Sequence, residues 1–257
     1  MMQMFSTIRM KDLLVYPFKQ ENSANKVLVG SLLTFAGSII PILPSLVVTG
    51  YLMKIARRII DGDGQLTLPE WDNWGEYLKD GFKLFGATFI YTLPIFVIMG
   101  FGYTLYFASF MGMIINSNST GYSSGPETIL PFLGMMVLFL TMGIVIILSL
   151  IEGIILPPAI MHLVHTGEFS SAFKFKEWWP VLRRNFWGFF ISFVFIMGLY
   201  YFLMLGVSLL YMTIVLCVLL PLVIAPMGFI MGLWSTPLLA QSYRDGMDRV
   251  ETIQESL

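Results

Sequence analysis

The sequence contains little charge. Asp, Glu, Lys and Arg make up 12% of its 257 residues, whereas soluble domains carry roughly 25%. The net charge is −1, so the basic excess that nucleic-acid binding requires is also missing. Hydrophobic residues make up 56% of the chain, which excludes an intrinsically disordered protein. The composition excludes a soluble enzyme and predicts a polytopic membrane protein that has no nucleic-acid partner.

Cysteine and histidine are almost absent. Cys217 is the single cysteine and cannot form an internal disulfide, so we interpret it as a small buried hydrophobe. The two histidines, His162 and His165, share one helix end with a nearby acid, Glu168. This set is too small for a convincing metal site, and we expect both rings to lie in water at the membrane interface. Without a nucleophile, phosphate-loop or metal-ligand motif, the sequence predicts no catalytic residue, no metal and no cofactor.

Long intervals without charge predict the membrane helices. Residues 84–126 and 128–151 contain no Asp, Glu, Lys or Arg, and a bilayer core of about 30 Å needs about 20 helical residues. Each of these intervals is therefore expected to hold one span. The interval 186–243 is 58 residues long, which suits two spans joined by a turn within 208–222.

The first apolar interval, 27–53, has two interpretations. Pro41 and Pro44 should break a helix there, leaving arms of about 27–40 and 45–58, each about 21 Å long at about 1.5 Å per residue. The segment either crosses the membrane once or forms a short or re-entrant hairpin. A hairpin places all 15 Lys and Arg on one side, as the positive-inside rule requires. We therefore favour the hairpin, with both termini in the cytoplasm and the protein in the cell membrane.

The predicted architecture is a single all-α membrane domain over residues 1–257. About six membrane helices form three hairpins, at about 27–58, 82–165 and 183–245. Each hairpin returns to a polar stop that contains glycine, which indicates a three-fold internal repeat. The alternative is that these shared features reflect only what all membrane helices have in common.

Two amphipathic segments lie between the hairpins, at about 68–82 and 169–182. In both, aromatic residues alternate with charged ones at helical spacing, a pattern typical of helices in the headgroup plane. Pro180 is expected to bend the second segment into the next span. The segments are interpreted as membrane anchors, or alternatively as a ligand-binding collar. The predicted interfacial anchors are Trp71, Trp74, Trp178 and Trp179.

Glu152 is the main candidate for a functional side chain. It follows 24 uncharged residues and lies about 15 Å from the predicted helix end, at about 1.5 Å per residue. A carboxylate at that depth should face the bundle and be paired, hydrated or protonated. It is a candidate site for a proton, a cation or a polar headgroup. The alternative is a structural hydrogen bond to a neighbouring helix.

A distinctive set of motif residues lies between positions 50 and 94. They are Gly50–Tyr51, Arg57–Arg58, Gly62, Leu68–Pro69–Glu70–Trp71–Asp72–Asn73–Trp74–Gly75, Asp80–Gly81–Phe82–Lys83 and Tyr91–Thr92–Leu93–Pro94. This motif resembles that of a family of uncharacterised multi-pass membrane proteins, common in archaea and some bacteria. The one mild departure from the family pattern is Phe82, where leucine is usual. The resemblance implies a domain of unknown function, so no active site can be transferred from it.

These observations predict a non-enzymatic membrane scaffold, or a subunit that binds lipid or a protein partner within the bilayer. The alternative is a small transporter or lipid-handling protein with a midplane site around Glu152. A cavity that reaches Glu152 would favour the transporter, and a sealed apolar core would favour the scaffold.

Overall fold

The computed structural model describes residues 10–62, 66–120, 129–211 and 219–254, and within these ranges it contains helices but no strand. A short 3₁₀ helix, Phe169–Phe173, precedes α6. The α-helices are α1 (Met10–Lys19), α2 (Ser23–Ile39), α3 (Leu43–Ile60), α4 (Trp74–Thr120), α5 (Leu130–Thr166), α6 (Phe175–Arg184), α7 (Phe186–Tyr211) and α8 (Leu220–Gln254).

Four of the described helices, α4, α5, α7 and α8, are long and apolar enough to cross a membrane. They confirm an all-α membrane protein, with one such helix in each of the intervals 84–126 and 128–151 and two in the interval 186–243. The turn expected within 208–222 cannot be assigned to a residue, since 212–218 lie outside the described ranges.

The first apolar interval forms two short helices rather than one span. The helix breaks between Ile39 and Leu43, as the two prolines predict, and Ile42 adopts a positive φ of 82° in the break. The rings of Tyr51 and Phe229 are 6.1 Å apart, and Phe229 also lies against Gly30. Residues from both arms thus meet the same side chain, so α2 and α3 run side by side as a hairpin. The helices contain 17 and 18 residues, or about 26 Å each at about 1.5 Å per residue.

The chain divides into two compact units: a large unit, Met1–Thr88 with Ile154–Leu257, and a two-helix unit, Phe89–Gly153. In the large unit, α8 contacts α1, α2, α3, α6 and α7. Glycines bring these helices close together, because a small side chain lets backbones approach: Gly232 of α8, for example, lies against Leu52 of α3. The largest fully buried side chains of the unit include Trp178, Tyr51, Tyr77, Tyr243, Phe189 and Phe229.

The two-helix unit consists of the adjoining parts of α4 and α5. Gly102 lies against Thr141, and Gly134 lies against Ser109. Small residues therefore occupy the contact between the helices. Larger side chains such as Phe107 and Phe132 are exposed on the outside.

The prediction of a separate interfacial helix at 68–82 is wrong. Residues 66–73 are not helical, and α4 starts at Trp74 and continues as one helix to Thr120. Side chains that are distant in the sequence bond to the backbone of this segment in place of helical hydrogen bonds. The N–H of Leu68 donates to Gln20 Oε1 at 2.8 Å, and its carbonyl accepts from Lys26 Nζ at 3.0 Å.

The second amphipathic segment is helical but divided into the 3₁₀ helix and α6. Pro180 lies inside α6 and does not bend the chain into the next span. The break falls instead at Asn185, which leaves the helix with φ −124° and ψ 36°. Its side-chain Nδ2 donates to the carbonyl of Ser242 at 2.8 Å, so a tertiary hydrogen bond holds the break.

Candidate functional site

Glu152 lies in the two-helix unit, where it is half-buried. The hydroxyl of Thr92, on α4, donates to Glu152 Oε1 at 2.5 Å. A polar partner was expected because an unpaired carboxylate inside a membrane is costly. Thr92 is one of the residues on which the resemblance noted in the sequence rests, and it contributes directly to the Glu152 site.

The two-helix unit also contains a small apolar cavity of about 170 Å³. Met99 and Tyr103 of α4 line it together with Leu138, Met142 and Val145 of α5. Glu152 is not among the residues that line this cavity. The cavity therefore does not connect the carboxylate to a polar path.

The two tryptophans of the first amphipathic segment have different surroundings. Trp71 stacks on Tyr51, with ring centroids 3.9 Å apart and planes at 10°. Its Nε1 donates to the carbonyl of Lys26 at 3.0 Å. Trp74, at the start of α4, keeps 45% of its surface exposed. Trp71 thus holds the 66–73 segment against α2 and α3, while Trp74 remains exposed.

The second pair of tryptophans divides in the same way. Trp178 is completely buried, and its Nε1 donates to the carbonyl of Ala172 at 3.0 Å. The anchor prediction therefore fails for Trp178, because a ring closed inside the protein cannot contact headgroups. Trp179 is 36% exposed and stacks on Phe175 at 4.7 Å.

Two glycines, Gly50 and Gly81, mark a close crossing of helices in the large unit. A Cβ on Gly50 would overlap the carbonyl of Tyr77, and one on Gly81 would overlap the carbonyl of Leu46. α3 and α4 therefore touch backbone to backbone at this crossing. Beside it, the hydroxyl of Tyr51 donates to the carbonyl of Pro69 at 3.0 Å.

A buried ion-pair network, which sequence reasoning missed, lies near the same crossing. Asp80 is 7% exposed and pairs with Arg57 at 3.3 Å and with Lys83 at 3.4 Å. The two cations also donate to carbonyls at the end of α5: Arg57 Nε to Val164 at 3.1 Å and Lys83 Nζ to Gly167 at 2.8 Å. Positive charge at a helix C-terminus is favourable, so the network joins α3, α4 and α5. The motif spacing from Arg57 to Asp80 and Lys83 is the only sequence signal for it.

His162 does not lie in water as expected. It is 8% exposed, and its Nδ1 lies 2.7 Å from the hydroxyl of Tyr243 while its Nε2 lies 2.9 Å from Glu177 Oε2. A neutral imidazole satisfies both bonds by donating from Nε2 and accepting at Nδ1. The hydrogen bond from His162 lowers the pKa of the Glu177 carboxyl, and Lys174 lowers it further. The second histidine, His165, is 39% exposed and lies 3.7 Å from Asp61.

These polar clusters hold helices together. In the part of the chain that the structure describes, no group of three or more His, Cys, Asp or Glu residues is placed to hold a metal ion. The polar contacts of the large unit join side chains to one another or to helix ends. Glu152, in the two-helix unit, is the one predicted site residue whose chemistry could serve a proton, a cation or a headgroup.

The fold and its polar clusters define an all-α membrane protein with multiple long apolar helices. The chain belongs to the family described as Protein of unknown function (DUF4013), whose family model matches residues 33–212. The resemblance to a domain-of-unknown-function family is thereby confirmed. Comparison with curated proteins and with solved structures gives no match.

Proposed function

We propose that the protein is a non-enzymatic membrane scaffold whose two-helix unit binds another membrane protein. The observation that carries this proposal is the length of its apolar helices. Residues 84–115 of α4 contain no charged residue and extend about 48 Å at about 1.5 Å per residue. A bilayer core is about 30 Å thick, so this helix has more apolar length than an upright span needs.

The charge-free part of α8 is shorter than that of α4. The charge-free part of α8, residues 220–243, extends about 36 Å at about 1.5 Å per residue. Excess apolar length is accommodated by tilting, by bilayer thickening or by association with other helices. We propose that association accommodates the excess here, through the surface on which side chains such as Phe107 (56%) and Phe132 (73%) are exposed.

The polar side chains of the two-helix unit support the same proposal. Glu152 and Thr92 bond to each other. Thr141 donates to the carbonyl of Val137 at 2.8 Å, and Ser109 donates to that of Tyr106 at 2.8 Å. Polar groups that are paired locally leave an apolar outer surface that suits contact with the helices of a partner.

We further propose that the basic residues of the large unit face the cytoplasm of a cell membrane, with both termini on that side. The positive-inside rule supports this orientation. Ala24, which is exposed near the start of α2, is a suitable position for its test. In a Cys217→Ser background, Ala24→Cys should react with a membrane-impermeant thiol reagent only from the cytoplasmic side, and reaction from outside would reverse the orientation.

Site-specific photo-crosslinking in native membranes tests the scaffold proposal. A photoreactive phenylalanine analogue replaces Phe107 or Phe132, and Tyr201 of α7, which is 66% exposed, serves as the control position. We expect Phe107 and Phe132 to give a protein adduct of the same mass, identified as one membrane protein by mass spectrometry. The control should give lipid adducts only. Lipid adducts alone at all three positions would show that lipid covers the two-helix unit, and would overturn the proposal.

A small transporter or lipid-handling protein is the second candidate. The observation that favours it is the position of Glu152, a half-buried carboxylate on a helix whose described residues include no other Asp, Glu, Lys or Arg. Carboxylates inside membrane helices often mark proton or ion paths.

Substitutions at Glu152 separate the two candidates. Glu152→Gln keeps an oxygen that can accept from Thr92, so we expect nearly unchanged stability in detergent. Glu152→Ala removes the acceptor and should cost about 1–3 kcal/mol, the usual range for a lost buried hydrogen bond. If Glu152 is a transport site, Glu152→Gln should fold normally yet abolish pH-dependent flux in proteoliposomes. Equal destabilisation by Gln and Ala would contradict the assigned hydrogen bond.

A further inference from the structure

Helix α6 has one face buried in the protein and one face open. Trp178, Val181 and Leu182 are buried. Trp179, Pro180, Arg183 and Arg184 lie on the other face and line an open cavity of about 340 Å³. Arginine, tryptophan and proline therefore meet in one concave surface, which we call the α6 face.

The positive charge of the α6 face is not neutralised by its neighbours. Within the described residues, neither Arg183 nor Arg184 forms an ion pair, and both are exposed. The nearby acid, Glu177, is engaged by His162 at 2.9 Å and Lys174 at 3.5 Å. A third cation stands close by, since Arg249 Nη1 donates to the backbone carbonyl of Arg184 at 3.1 Å.

The position of the α6 face relates it to the bilayer surface. Only Asn185 separates Arg184 from α7, which is long and apolar enough to cross the membrane. The first residues of that helix, Phe186 and Trp187, are 41% and 64% exposed. Aromatic rings at the end of a span are typical of the headgroup region, so we expect the guanidinium groups to lie at the depth of lipid phosphates.

We propose that the α6 face binds the phosphate of an anionic phospholipid headgroup. Guanidinium groups bind phosphate through paired hydrogen bonds, and two adjacent arginines offer several donors to one anion. Trp179 and Pro180 supply apolar contact for the glycerol and the upper acyl chain. The proposal is independent of the scaffold function, because the α6 face belongs to the large unit and the proposed scaffold surface belongs to the two-helix unit.

The test uses the full-length protein in neutral detergent micelles, titrated with phosphatidylglycerol and, separately, with phosphatidylcholine. Arg183→Gln with Arg184→Gln removes the two guanidinium groups. Lys11→Gln with Lys79→Gln, at two exposed positions elsewhere, removes the same charge and serves as the control. We expect wild type and control to bind phosphatidylglycerol in preference to phosphatidylcholine. The double arginine variant should bind it about 30-fold more weakly, because each basic residue near an anionic surface contributes about a five- to sixfold effect.

Three outcomes would overturn the proposal. The first is that the arginine variant binds as tightly as wild type. The second is that the control loses as much affinity as the arginine variant. The third is that inorganic phosphate displaces the lipid at equimolar concentration. The last result would assign the face to a soluble phosphate compound. Thermal unfolding without lipid checks that both double variants are folded. If the double arginine variant is not folded, Arg184→Gln alone should still weaken binding about fivefold, and unchanged binding would be contrary to the proposal.

Discussion

Replacing Gly81 by alanine should cost about 3 kcal/mol of stability, the upper end of the range for overpacking. The added Cβ would overlap the backbone carbonyl of Leu46. A backbone atom cannot rotate away as a side chain can, so α3 and α4 would have to separate. Separation would also weaken the pairing of Asp80 with Arg57, which bridges the same two helices. The measurement is unfolding of the purified protein in detergent, followed by the loss of the monodisperse peak on size exclusion after heating.

Gly100 provides a matched control on the same helix. A Cβ there meets nothing within 4 Å, so Gly100→Ala adds the same methyl group without a collision. Because alanine favours a helix interior over glycine by about 1 kcal/mol, this variant should be as stable as wild type or slightly more so. Equal stability of Gly81→Ala and Gly100→Ala would show that the crossing is not as close as the structure has it.

The helical architecture was predictable because membrane helices have a simple physical requirement. A span must exclude charge over about 20 residues, so the four long apolar helices follow from the positions of Asp, Glu, Lys and Arg alone. The break between α2 and α3 was predictable for an equally local reason, since Pro41 and Pro44 each remove a backbone donor. Neither inference depends on which helices touch in the folded protein.

The failures share a physical cause. An amphipathic pattern shows that one side of a segment is apolar, but lipid and protein interior are equally apolar solvents for that side. Trp178 therefore fits the headgroup plane by sequence, while the structure buries its ring completely. His162 was misjudged for a related reason. Its partners, Glu177 and Tyr243, are 15 and 81 residues away in sequence.

The candidate site illustrates the same limit. The position of Glu152 inside an apolar helix was evident from the sequence, and so was its need for a polar partner. That the partner is Thr92, 60 residues earlier, depends on how α4 and α5 align. Small residues such as Gly102 and Gly134 set that alignment by packing against Thr141 and Ser109, and such contacts are specified by the whole helix pair rather than by a local pattern.

The motif residues between positions 50 and 94 have a structural role in the fold. Gly50 and Gly81 permit a close helix crossing, and Tyr51 binds the carbonyl of Pro69. Lys26, which lies outside the motif, pairs through its Nζ with Oε1 of the motif residue Glu70 at 2.6 Å. These contacts thus fix the arrangement of α2, α3 and the start of α4.

Replacing Trp178 by alanine should destabilise the protein by about 3–5 kcal/mol, the range for removing a large aromatic side chain from a packed core. The ring is completely buried, so its loss leaves a cavity that helices on both sides cannot easily close. The substitution also removes the Nε1 donor from the carbonyl of Ala172 and the edge contact with Phe175 at 4.7 Å. Trp187→Ala is the matched control, since that ring is 64% exposed at the start of α7 and leaves no internal cavity. The measurement is denaturation of both variants with SDS from the same mild detergent. We expect the free energy of unfolding of the control to lie within about 1 kcal/mol of the wild-type value, as is general for surface substitutions. If the two variants lose similar stability, Trp178 acts at the membrane surface like its exposed counterpart, and its assignment to the core is wrong.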